Sequence, residues 1–254
     1  MFNNIHISDL IFYKDSVEEI INFLEENNLK KLEFFIEPLD REYTKKMLKV
    51  LDRYKFSSIS FHGPFRKCRL TEADEQGWED VVYSYTESLK IAKKYNAGFV
   101  VLHSNEKLTE EVDKAVIEEK IRLIDSLGKV HGVPIAVENV GIGKDVIFNQ
   151  KDYQNLILKN NYTCLIDIGH ACLNNWDLEE LISELQYNIK GYHFHNNGGV
   201  FDEHKPISEG VIDYAEVVKL YKKYTPHAKI VLEYDFSESK ETLLKDLAYL
   251  KELD

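Results

Sequence analysis

Eight short β-prone runs alternate with longer amphipathic stretches along the whole chain, and this alternation restricts the fold more than any other feature. The runs are "NIHIS" near Ile5, "LEFFIE" near Phe35, "SSISFH" ending at His62 and "FVVLH" ending at His103. They continue with "PIAVEN" around Glu138, "TCLIDI" around Asp167, "KGYHFH" ending at His195 and "KIVLEY" around Glu233. Each is rich in Val, Ile, Phe and Leu and is bounded by turn residues, as strands are. Between them lie segments such as "SVEEIINFLEENN", "DREYTKKMLKVLDRY" and "DYAEVVKLYKKY", whose apolar residues recur at helical spacing. Ser16 followed by Glu19 predicts a capping box at the first helix.

A helical crossover returns each strand in the same direction, so the alternation predicts a parallel sheet. Eight units predict that the sheet closes as a single (β/α)8 TIM barrel. No shift in composition marks a second domain, and residues 1–254 read as one barrel domain. No run of eighteen apolar residues appears, which predicts no membrane span. The N-terminal stretch lacks the basic start of a signal peptide. Cys68, Cys164 and Cys172 form no CxxC and suit a reducing compartment, so a cytoplasmic location is expected. Cys164, in an apolar run, reads as a buried small hydrophobe. The formal net charge of −12 and the lack of a dense basic run argue against a nucleic acid partner. The oligomeric state is not set by the sequence, and a homo-oligomer stays open.

In barrels of this kind chemistry sits at the C-terminal ends of the strands. Six of the eight ends carry His, Asp or Glu: His62, His103, Glu138, Asp167 with His170, His193 with His195, and Glu233. The stretch "HFHNNGGVFDEHKPISEG" after strand seven adds Asp202 and His204. Burying so many carboxylates and imidazoles at one mouth is costly without a compensating cation. The mixture of imidazole and carboxylate suits Zn²⁺, Mn²⁺, Co²⁺ or Fe²⁺. His131 and His227 fall in helix-to-strand loops at the opposite end, His6 lies inside strand one, and Trp176 beside a helix start. Glu37 either points into the mouth or pairs with a loop. Gly198 and Gly199 are expected to turn the chain out of strand seven, so that Asp202 and His204 fold back over the mouth while Glu203 faces solvent.

Taken as an ordered series on successive strands, these residues resemble the xylose isomerase-like barrel superfamily, which includes sugar isomerases and epimerases and enzymes of the endonuclease IV type (AP endonuclease family 2). The resemblance covers nearly the whole chain. It implies that Glu138, Asp167, His193 and Glu233 hold a divalent metal. The endonuclease IV pattern further implies metal or substrate roles for His62, His103, His170, Asp202 and His204, with two or three ions. Asn196 stands where many relatives carry Asp, Ser208 replaces the first Gly of "GEG", and the loop after strand one is short.

Two chemistries follow from the resemblance. In an isomerase or epimerase acting on a small sugar or sugar phosphate, Glu138 and Glu233 are catalytic and pass a proton through an enediolate. In a multi-metal phosphodiester hydrolase, the added ligands clamp the attacking and leaving oxygens. The acidic chain favours the first, with a small sugar as partner.

Overall fold

The computed structural model describes residues 4–66, 68–71, 75–104, 108 and 111–253. Eight parallel strands close into a barrel in sequence order, β1 against β8 included. They are β1 (Ile5–Ser8), β2 (Lys31–Phe35), β3 (Ser58–His62), β4 (Val100–Leu102), β5 (Ile135–Glu138), β6 (Thr163–Asp167), β7 (Ile189–Phe194) and β8 (Lys229–Leu232). Helices α1 (Val17–Glu26), α2 (Arg41–Arg53), α3 (Glu75–Lys94), α4 (Lys114–His131) and α5 (Gln150–Asn160) follow the first five strands. The remainder are α6 (Ile168–Leu173), α7 (Leu178–Leu185), α8 (Tyr214–Tyr224) and α9 (Lys240–Glu252). The expected (β/α)8 barrel is therefore present.

The strands are almost wholly buried because helices cover one face and the barrel interior the other. In α1 the apolar face is Ile20, Ile21 and Leu24. The capping box forms as read: Ser16 Oγ accepts from the Glu19 amide at 3.3 Å and Glu19 Oε2 from the Ser16 amide at 2.8 Å. One helix exceeds the eightfold pattern. Strand β6 runs directly into α6, with Asp167 as the N-cap, so a metal-type residue also sets a helix boundary. Residues 72–74, 105–107 and 109–110 lie outside the described residues.

A small apolar plug of Phe99, Val101, Ala136 and Leu165 fills the barrel, apart from the larger core between strands and helices. Lys229 crosses its floor, donating to the Ile59 carbonyl at 2.8 Å and lying over the Phe99 ring. His6 belongs to this floor, with ring nitrogens against Ser58 Oγ and the Asn4 carbonyl, and burial pushes its pKa down to about 3. Cys164 is buried and its thiol is pushed up to about 12. Trp176 packs on Tyr153. No described helix is long and apolar enough to cross a membrane.

Candidate metal centre

His193 sits at the centre of the site. It is fully buried on β7, and its Nε2 lies 2.7 Å from Glu33 Oε1 on β2. A carboxylate accepts there, so Nε2 carries the proton and Nδ1 presents its lone pair. Three other carboxylates face Nδ1: Glu233 Oε2 at 3.2 Å, Glu138 Oε1 at 3.4 Å and Asp167 Oδ2 at 3.8 Å. Neither Nδ1 nor Glu138 Oε2 has a hydrogen-bond partner among the described residues. Three acids converging on one lone pair repel one another unless a cation lies between them. A proton can serve in its place. Burial alone lowers the His193 pKa, but Glu233, Glu33 and Glu138 outweigh it and hold the pKa well above the usual value. This donor set fits a divalent cation.

The neighbouring residues extend the set on two sides. His62 donates from Nδ1 to the Gly63 carbonyl at 2.8 Å, and its Nε2 stands 3.6 Å from Glu138 Oε2. His103 comes from the end of β4, 5.6 Å from His62 ring to ring, and burial lowers its pKa to about 4. Burial would raise Glu138, yet His193 and His103 keep it well below the carboxylate range. Asp167 is held by Asn139, which accepts from its amide at 2.7 Å and donates to its carbonyl at 3.0 Å. Its Oδ1 accepts from the His170 amide at 2.7 Å.

The segment after β7 folds back over the mouth. Asp202 Oδ2 lies 3.2 Å from both His170 Nε2 and His204 Nε2. These imidazoles overcome the cost of burial and hold the Asp202 carboxyl far below its usual range. His204 Nδ1 stands 3.7 Å from Glu233 Oε2, and despite burial Asp202 lifts the His204 pKa to about 9. Asn196 anchors the turn. Its main chain exchanges two hydrogen bonds with Lys205, its Nδ2 donates to the Ile207 and Ile212 carbonyls, and its Oδ1 accepts from the Ile212 and Asn197 amides. An aspartate could not donate, which accounts for Asn at this position.

All nine expected residues thus meet at one end of the barrel. Their donor atoms, with those of His195, form overlapping groups that could hold metal ions: His62–His103–Glu138, Glu138–Asp167–His193, Asp167–His195–Glu233 and His170–His195–Asp202–His204. Two details differ from the sequence reading. Gly199, with φ +85°, makes the turn, whereas Gly198 is where the Glu203 carboxylate reaches the backbone amide at 2.5 Å. Glu203 is only half exposed, since it also pairs with Lys205 at 2.6 Å. Of the two alternatives for Glu37, the loop holds, so it is no departure from the sequence reading: its Oε1 accepts from the Phe65 and Arg66 amides.

Two contributors were not assigned from sequence. Glu33 is one; its signal is an acid inside the apolar run "LEFFIE", where burial demands a partner. His195 is the other. It is fully buried, its Nε2 contacts both Asp167 oxygens at 3.0 and 3.2 Å, and its ring stacks on His204 at 4.0 Å. A cavity of about 250 Å³ opens over the cluster. Glu138, Asp202, Glu233 and the imidazoles of His62, His103, His170 and His204 form its polar wall, and Leu10, Phe35, Phe65 and Ile142 its apolar wall.

A family model described as "Xylose isomerase-like TIM barrel" matches residues 14–253. Uncharacterized protein MJ1311 of Methanocaldococcus jannaschii is 24% identical over 264 residues, covering 97% of this chain and 90% of that protein. Among solved structures, a D-tagatose 3-epimerase-like protein superimposes with a TM-score of 0.82 at 22% identity, covering 98% of this chain and 96% of that one. The IolI protein, solved with a zinc atom, gives 0.76 at 13% identity, covering 98% and 97%. These likenesses establish the fold.

Proposed function

From the premise that the chain belongs to the xylose isomerase-like TIM barrel family, we propose that it is a divalent-metal-dependent isomerase or epimerase of a small sugar or sugar phosphate. One observation carries this reading: Glu138 and Glu233 flank the same nitrogen, His193 Nδ1, at 3.4 and 3.2 Å, and both line the cavity. Glu138, Asp167, His193 and Glu233 would hold the ion, in keeping with the zinc in IolI. When bound, it supplies Lewis-acid polarisation of the substrate carbonyl and stabilises the enediolate's charge. Glu138 and Glu233, reaching in from β5 and the end of β8, act on opposite sides of the carbon beside that carbonyl. One takes the proton and the other returns it. His170 and His204 hold hydroxyl groups, and Leu10, Phe35, Phe65 and Ile142 exclude water from the carbanion-like centre.

Incubation of the metal-loaded protein with ketoses and ketose phosphates in D₂O tests this directly. Deuterium should enter the carbon next to the carbonyl, and Glu233→Gln should abolish the exchange. Absence of exchange across the panel would overturn the proposal.

A second reading is favoured by one specific observation. The His62–His103–Glu138 and His170–His195–Asp202–His204 groups exceed what a single ion needs. Multi-metal phosphoester hydrolysis would use them to clamp attacking and leaving oxygens. Two or three ions per chain, with cleavage of small phosphodiesters or of an abasic oligonucleotide and no deuterium exchange, would establish it in place of the first.

A further inference from the structure

We propose that Arg66, seconded by Lys14, is the phosphate-binding end of the substrate site, so that the sugar handled here is phosphorylated. This rests on reading the cavity as a sugar-processing site. Arg66 follows Phe65, whose ring lines the cavity and stands 5.0 Å from the His62 ring. Its guanidinium lies over Phe65 at 5.7 Å, Tyr13 at 5.1 Å and Tyr43 at 5.8 Å. Phe65 therefore touches both this cation and a ring of the ligand cluster. The Tyr13 ring touches Phe236, over which Lys14 sits at 4.4 Å. Tyr13, Phe65 and Phe236 follow β1, β3 and β8, so the group belongs to the same rim as the cavity.

The setting is built, and its cations are unspent. Glu37 Oε1 fixes the turn through the Phe65 and Arg66 amides, and Lys46 pins the β1 loop through the Phe12, Tyr13 and Asp15 carbonyls. Asp15 is occupied by Lys240 at 2.5 Å. Neither Arg66 nor Lys14 has an ion-pair partner among the described residues; Arg53 and Arg122 are matched with Glu18 and Glu119, whereas Arg41 and Arg69, like Arg66, are not. In a chain of net charge −12, leaving an arginine unmatched at the mouth forgoes an easy partner. A guanidinium lying over rings, with no carboxylate on it, has N–H groups to offer, and a guanidinium receives phosphate through paired hydrogen bonds. The cavity floor supplies the opposite requirement, metal-type ligands for the carbonyl end, so a phosphorylated sugar would be gripped at both ends.

The test uses inorganic phosphate on the protein as purified, followed by the side-chain Nε–H NMR resonance of Arg66, assigned by its loss in Arg66→Lys. We expect a saturable shift of that resonance, a smaller one at Arg53, and affinity weakened about threefold or more in Lys14→Ala. A resonance that moves no more than that of Arg53 overturns the subsite, whatever reaction the cavity performs. With a ketose phosphate turned over in the exchange assay, Arg66→Ala should raise KM about tenfold with kcat nearly kept, and should leave the unphosphorylated ketose unaffected. Equal effects on both sugars would overturn the assignment while leaving the isomerase reading intact.

Discussion

Glu33 Oε1 and His193 Nε2 meet at 2.7 Å across the barrel interior, joining β2 to β7 beneath the cluster of acids. Both side chains are fully buried, so water does not compete for the contact. The bond decides which imidazole nitrogen faces Glu138, Asp167 and Glu233.

Replacing Glu33 with Gln keeps the shape but weakens the hold on the ring. Partners of this kind contribute about 10–100-fold to metal affinity. Chelator competition should therefore show Glu33→Gln losing its ion at about tenfold lower chelator concentration. Equal retention in variant and wild type would show that the contact has no bearing on the ion.

Glu138→Gln and Asp167→Asn should lose most of their metal on dialysis, because each removes a carboxylate that faces His193 Nδ1. Stripping the wild-type protein should also lower its Tm, since an ion bound only to the folded chain stabilises it by mass action. Wild-type occupancy in both variants would exclude this set as the site.

Gly169 occupies the turn of α6 beneath His195, and a Cβ built there would run into the imidazole. Gly169→Ala should cost about 1–3 kcal/mol by overpacking. The displaced ring should also release Asp167, weakening metal binding beyond the stability loss. A melting curve together with a metal titration separates the two effects. If metal affinity stays at the wild-type value, His195 serves packing alone.

Asp9 gives a pH signature set chiefly by its own burial, with a smaller push from Glu33. It is buried, and desolvation pushes its carboxyl up to about 7 although the Phe35 amide donates to it at 3.0 Å. A folded-state pKa above the unfolded value means that its stabilising contribution is full below about pH 4 and is lost as pH rises to about 7. Asp9→Asn, with no such titration, should hold its stability better between pH 5 and pH 8, by roughly 2 kcal/mol in urea unfolding. Parallel pH profiles for the two proteins would contradict the assignment.

The barrel was readable from sequence because its strands are short, apolar and separated by periodic helices, and the capping box at Ser16 marks a boundary in the residues themselves. The gathering of His62, His103, Glu138, Asp167, His170, His193, Asp202, His204 and Glu233 was readable for a topological reason: strand ends in this architecture share one mouth. Pairings across the interior were not. Periodicity tells which face a residue takes but not which distant strand lies opposite, so the Glu33–His193 contact stayed hidden. Local competition hid the rest. Asp167 ends a strand and caps α6 at once, and Gly199 rather than Gly198 takes the left-handed turn because Gly198 admits the Glu203 carboxylate.

The Asn196 clasp bears on timing. Bonds from one side chain and two from its backbone tie down the segment that carries Asp202 and His204. Those bonds hold the two groups over the mouth in the folded chain, so the proposed reaction would need no flap to swing across first. Under the proposed reaction, an incoming sugar would meet that wall already set, which would leave entry, proton transfer and departure to set the pace of the cycle.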